Sequence, residues 1–226
     1  MRTVTDPRPP ATASEVDPAS CPRDPAEIYR LSFARARAET PLDHLPPFLH
    51  PVVLRMVHAC GLPEIARDVG WRGDPVAAAR SALARGAPVL CDTRMTEAGI
   101  ARGHLPSGSR TLCTLDEEPV PGLAAALGTT RTAAAVELWR PHLEGAVVAI
   151  GNAPTALFHL LDRMAAWRRR PAAIFAFPLG FVGARESKRA LAETPDAPPF
   201  LTLHGRFGGS ALAAAALNAV LLAERP

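Results

Sequence analysis

The chain has 226 residues, 48% of them apolar, and a formal charge of +3, which is enough for one substantial hydrophobic core in a single globular domain. Its basic side chains are spread out rather than gathered into runs interleaved with aromatics, which excludes a nucleic-acid interface. No uncharged apolar stretch reaches the roughly 18 residues of a membrane span, and the first residues lack the apolar centre of a secretory signal, so a cytoplasmic protein with no membrane partner is expected.

Residues 1–24 carry Pro7, Pro9, Pro10, Pro18 and Pro22 among small and polar residues. Such a segment has little to bury, and a disordered tail is expected, leaving 25–226 as the folded domain. A helix is predicted from Pro25 through Ile28, Leu31 and Phe33 to Glu39, with Ser32 and Arg35 on another stripe. A second starts near Pro51, since proline is tolerated in a first turn, and stops at Gly61. It reads as a buried helix that sets Arg55 and His58 three apart on one face and turns Met56 and Cys60 to another. Asp74 is an N-cap for an Ala-rich helix over 75–85.

From there one pattern recurs four times: a short apolar strand, a turn of Gly, Pro or small polar residues, and a helix. Ala87–Cys91 leads through Asp92–Arg94 to a helix over Met95–Arg102. Ala146–Ile150 leads through Gly151–Pro154 to Thr155–Arg168, and Ala172–Phe177 through Pro178–Gly183 to Ala184–Glu193. Phe200–His204 leads through Gly205–Ser210 to Ala211–Ala223. A fifth strand is indicated near Thr111–Leu115, and Thr129 or Thr130 can cap a helix over 131–139. This alternation predicts an α/β fold, a three-layer α/β/α sandwich with a mostly parallel central sheet of Rossmann-like topology. Ligands of such sheets bind beyond the carboxyl ends of the strands, where the four turns gather.

Several residue groups bear on chemistry. Cys21, Cys60, Cys91 and Cys113 form no C-x-x-C pair, so reduced, mostly buried thiols are expected. The histidines show no ligand spacing of the H-x-x-x-H kind, so no metal is implied. Pro106–Ser109 is not a nucleophile elbow. His58 has two readings, a hydrogen-bonded core residue or a titrating proton donor, and Arg55 beside it wants an anion. Arg131 in a first helical turn opposes the helix dipole, which binding an acidic ligand would explain. The Gly205–Ser210 turn suits either structural punctuation or an anion seat, but its spacing is not a dinucleotide fingerprint. For Gly151–Thr155 the structural reading is favoured, with Asn152 able to cap. The apolar Leu179, Phe181 and Val182 in a turn suit a flat ligand or a second subunit.

Taken together, Ile28–Phe33, Arg55–Gly61, Leu90–Met95 with Gly99–Ile100, Gly128–Arg131, Gly151–Leu157, Gly180–Ala184 with Glu186–Lys188, and Gly205–Ala211 resemble the precorrin-8X methylmutase (precorrin isomerase) family over residues 28 to 222. The resemblance implies an isomerase of corrin biosynthesis. It moves a methyl group from C-11 to C-12 of precorrin-8X to give hydrogenobyrinate, or turns the cobalt-bearing equivalent into cobyrinate, with no cofactor and no protein metal. It further implies His58 as catalytic acid and Ser32, Arg55 and Arg131 as substrate-binding residues, with Gly208, Gly209 and Ser210 at an anion-binding helix start. The implied partner is a tetrapyrrole with many carboxylates, met by a homodimer whose active site lies near the interface. A corrinoid-holding protein without catalysis is the alternative. The long Pro-rich tail, Leu179 in place of valine and His204 in place of arginine depart from the family pattern, and only His204 bears on substrate affinity.

Overall fold

Helix α1, Pro25–Glu39, begins where Asp24 accepts the Glu27 N–H at 3.0 Å and proline occupies the first turn. None of its residues is fully buried. The structure, a computed structural model, describes residues 22–222, so the expected disorder of residues 1–21, Cys21 and positions 223–226 lie outside the described residues. A short 3-10 turn, Pro47–Leu49, leads into α2, His50–Cys60, which ends at Gly61 in the left-handed conformation. Val52, Val53, Leu54, Met56 and Val57 bury one side of α2. The expectation of a buried setting for His58 is corrected here, because His58 and Ala59 are exposed and Arg55 only half-buried.

Next come β1 (Val69–Arg72), α3 (Pro75–Ala84), β2 (Val89–Cys91), α4 (Arg94–Gly99), β3 (Thr111–Leu112), α5 (Val120–Leu127) and α6 (Arg131–Ala135). The remainder is β4 (Val147–Ile150), α7 (Pro154–Trp167), β5 (Ala173–Ala176), α8 (Ala184–Glu193), β6 (Phe200–Leu203) and α9 (Ser210–Leu222). The strands form one sheet in the order β1-β6-β5-β4-β2-β3, parallel throughout except that β1 runs antiparallel to β6. The predicted α/β/α sandwich is therefore observed, with one strand more than the sequence reading contained. β1 is an edge strand of four residues containing Gly70, too short and irregular to display a period of two. The helix expected over 131–139 is α6 followed by a 3-10 turn, Val136–Trp139.

All residues of β4, β5 and β6 are buried, as a parallel sheet covered on both faces requires. Alternation shows which face each serves. Val147, Ala149, Ala173 and Phe175 enter the core shared with α2, α3 and α9, whereas Val148, Ile150, Ile174 and Ala176 enter the core shared with α7 and Trp139. Outside α9 lies α2, and outside α2 lies α1, so the first helices form an outer layer upon one face.

At the carboxyl edge the four turns do meet. The Asp92 side chain, 2% exposed, accepts N–H groups of Gly151 at 3.0 Å, Asn152 at 2.8 Å and Ala153 at 2.9 Å, and the Thr96 hydroxyl at 2.9 Å. It fills the anion-attracting start of α7, and Asn152, expected to cap, donates its backbone N–H instead. Thr96 also reaches the Ser210 hydroxyl at 3.0 Å, which ties α4 to the start of α9. Gly151 is compelled by proximity, since a Cβ there would stand 2.5 Å from the Ser210 Cα. Removing the Asp92 carboxylate strands three enclosed N–H groups, each worth about 1–3 kcal/mol when unsatisfied. Asp92→Ala should lower unfolding stability by about 3 kcal/mol or more in urea titrations with unchanged slope, and Asp92→Asn by less, because it keeps one acceptor oxygen.

Candidate functional site

The exposed stripe of α2 faces two elements far apart in sequence, α1 and the amino-terminal half of α9. From α1, Ser32 Oγ lies 2.8 Å from His58 Nδ1. The Phe33 ring stacks on the imidazole with centroids 4.7 Å apart at 23°, and the Tyr29 ring meets it edge-on at 5.9 Å. Arg55 donates to the Tyr29 hydroxyl at 2.6 Å while its guanidinium carbon stands 5.5 Å from the Phe33 centroid. Ser32, Arg55 and His58 are thus brought into one cluster, and Tyr29 and Phe33 complete it. The helical period of α1 explains the set: Tyr29, Ser32 and Phe33 are spaced three and four apart and share one side.

Tyr29 is the residue sequence reasoning overlooked. It is the chain's single tyrosine and follows Ile28 in a segment quoted only as a motif. Its pairing with Arg55, across 26 positions, has no signal in local spacing.

A groove of ≈ 280 Å³ opens beside the cluster, with Arg55 and His58 on one wall and Gly99, Ala211, Ala214 and Asn218 on the other. A neighbouring groove of ≈ 290 Å³ shares Arg55 and is bounded by Phe33, Leu54 and Leu222. Small side chains give the first groove a smooth apolar floor against which a flat ring system can lie. Asn218 fixes the far wall, accepting the Ala101 N–H at 2.8 Å and donating to the Gly99 carbonyl at 2.9 Å.

The remaining predicted residues sit apart from His58. Arg131, at the start of α6, bonds the Leu115 carbonyl and the Asp116 carboxylate, each at 3.2 Å, and Arg94 takes the other Asp116 oxygen at 3.0 Å. The anion that Arg131 was expected to need is therefore already met within the chain by Asp116. Thr130 caps α6 by accepting from Ala133 and shares a 2.7 Å hydrogen bond with Thr155 on α7. Ser210 is 5% exposed, and its hydroxyl lies within the Thr93–Thr96 network. The Gly209 N–H is committed to the Phe177 carbonyl at 2.7 Å. Gly208 leaves no room for a side chain, since a Cβ would stand 2.2 Å from the Phe177 oxygen.

Burial pushes the thiols of Cys60, Cys91 and Cys113 above the ordinary cysteine range, so none offers a thiolate nucleophile near neutral pH. Among the described residues no group of three His, Cys, Asp or Glu side chains is placed to hold a metal ion. What the cluster offers is a proton carrier oriented by a serine hydroxyl, a cation beside it, and an apolar floor.

Residues 27–223 match the family model described as CbiC, precorrin-8X methylmutase. The chain is 51% identical over 198 residues to the precorrin-8X methylmutase of Pseudomonas aeruginosa, covering 88% of this chain and 95% of that protein. It is 50% identical to the same enzyme of a Sinorhizobium species over 88% and 94%. With the cobalt-precorrin-8 methylmutase of Priestia megaterium it shares 33% identity over 87% of both chains. Among solved structures, the precorrin-8x methyl mutase from Thermus thermophilus superposes with a TM-score of 0.78 at 36% identity, covering 88% of this chain and 96% of that one.

The Arg94–Asp116–Arg131 network is half exposed, Asp116 at 51%. Exposed pairs contribute about 0–1 kcal/mol each. Asp116→Ala should accordingly shift the urea midpoint by no more than about 1 kcal/mol equivalent, in contrast to the buried Asp92.

Proposed function

The chain belongs to the precorrin-8X methylmutase family, an isomerase of cobalamin biosynthesis, and we propose that it carries out the methyl migration from C-11 to C-12 of precorrin-8X that yields hydrogenobyrinate. The observation that carries this reading is the Ser32–His58 hydrogen bond at 2.8 Å beside Arg55, opening on a groove with an apolar floor.

In the proposed reaction His58 is the acid. A Ser32 hydroxyl donating to Nδ1 puts the proton of the neutral imidazole on Nε2, which has no partner among the described residues. Transfer of that proton to the ring C region draws electron density from the conjugated system. The bond from C-11 to the methyl carbon then breaks as the bond to C-12 forms, a 1,5-shift with no net change of oxidation state. Nothing in that balance requires a redox cofactor or a protein-held metal. Phe33 and Tyr29 fix the plane of the imidazole, and Arg55 pairs with a peripheral carboxylate, its planar fork suiting that partner. Arg131 serves a second carboxylate by exchanging Asp116 for substrate, and the start of α9, Gly208 to Ser210, supports a third.

The identities of 51% and 50% to two precorrin-8X enzymes, against 33% to a cobalt-precorrin-8 enzyme, support the metal-free substrate. A homodimer with its active site near the interface is part of the proposal. Phe181 and Val182, 86% and 89% exposed in the loop between β5 and α8, supply apolar surface that a second copy would cover. A cytoplasmic setting belongs to it as well, and among the described residues no helix is long and apolar enough to cross a membrane.

Purified protein mixed with precorrin-8X should change its visible spectrum as the conjugation alters. His58→Ala should lower turnover by about 10²- to 10⁴-fold, the range of general acid catalysis, while still binding hydrogenobyrinate. Arg55→Met should chiefly raise KM. Tight product binding with no turnover by the wild type would instead identify a corrinoid-holding protein.

A further inference from the structure

Lys188 is the single lysine among 25 basic residues, and it is completely buried in α8. Every other cation in the chain is arginine, so its retention at this point calls for a physical reason. The Lys188 Nζ donates to the Phe207 carbonyl at 2.7 Å. A guanidinium, with five donors in a rigid fork, suits a lone enclosed carbonyl poorly, whereas a compact ammonium fits it. Burial pushes its pKa down to about 8 while the charge of Asp68 acts the other way, so the ammonium is held there at a cost.

Its position is at the seam of two carboxyl-edge loops. The Gly180 N–H bonds the Arg206 carbonyl at 3.1 Å, and the Gly209 N–H bonds the Phe177 carbonyl at 2.7 Å. Between them the Phe207–Gly208 peptide is trans, like every peptide described, so its C=O and N–H point in opposite directions. With the carbonyl drawn inward to Lys188, the Gly208 N–H faces away from the buried ammonium. It finds no acceptor among the described residues, although its neighbour Gly209 does. A carbonyl bonded to a cation also makes the N–H across the same peptide a stronger donor.

We propose that Lys188 is a positioning residue: by capturing the Phe207 carbonyl it turns the Gly208 N–H outward as the donor for a carboxylate of the tetrapyrrole. This rests on the proposed function and supplies the mechanism by which the Gly205–Ser210 turn recognises an anion even though Gly209 and Ser210 are already committed.

Lys188→Met keeps the length and removes the charge. It should raise KM for precorrin-8X about ten-fold, the loss of one charge-assisted hydrogen bond, with kcat within about two-fold. Because the variant relieves a buried cation, its Tm should be unchanged or higher. A purely structural role predicts the reverse, a lower Tm with KM unmoved, and that result overturns the proposal. A second measurement needs no variant. In protein labelled with ¹³C at lysine Cε, the single Lys188 resonance should shift when hydrogenobyrinate is added, and an unmoved resonance at saturation also overturns it. A wild type that neither binds nor converts the corrinoid overturns the functional reading and this inference with it. A wild type that does both, beside a Lys188→Met protein of unaltered KM, overturns this inference alone.

Discussion

The Asp92 carboxylate holds the carboxyl edge together. Three successive backbone N–H groups at the start of α7 and the Thr96 hydroxyl converge on it, so a charge 2% exposed is fully compensated. Through Thr96 the same network reaches Ser210 and fixes where α9 begins. Packed on α9 is α2, and on α2 rests α1, so the placement of His58 descends from an aspartate that never meets solvent. The carboxylate also occupies the anion seat at α7, which directs an incoming polyanion elsewhere on the edge.

Rigidity declines outward from that knot. The strands β4, β5 and β6 bury every residue, α2 buries one stripe, and α1 buries none completely. Ser32, Tyr29 and Phe33 therefore belong to the layer that opens at lowest cost, held chiefly by their contacts with Arg55 and His58. The proton carrier itself stands on the better anchored α2 and is aligned by the looser α1. A substrate can enter by displacing α1 slightly without disturbing the sheet.

How much of this was legible follows from the range of the signals. Apolar runs of four or five residues ending in Gly, Pro or Asp announced four parallel strands, because strand period and turn chemistry are local. Arg55 and His58, three apart on a helix, were visible for the same reason. β1 was not, since four edge residues that include Gly70 display no period. The family resemblance placed Ser32 near His58, yet the Tyr29–Arg55 contact and the three donors to Asp92 join residues 26 and about 60 positions apart, and no spacing rule spans such distances. Helix periodicity also misjudged the depth of His58. A stripe three residues apart can face a neighbour or a groove with equal ease, and only the layer outside α2 decides which.

An exposed histidine in an open groove is a weak acid catalyst so long as water surrounds it, because charges interact there at high dielectric. Under the proposed reaction the ligand changes those surroundings. A flat tetrapyrrole lying on Gly99, Ala211 and Ala214 covers the His58 ring and the Arg55 fork together, and its carboxylates stay at the rim where arginines and backbone N–H groups meet them. Water leaves the face of the macrocycle where protonation is needed and remains at the edge where the charges are. The substrate thus completes the enclosure that the free protein lacks, and the Arg55 and His58 interactions strengthen only once it is bound. That arrangement is economical for an intramolecular shift, which needs one proton placed accurately and a conjugated ring held still.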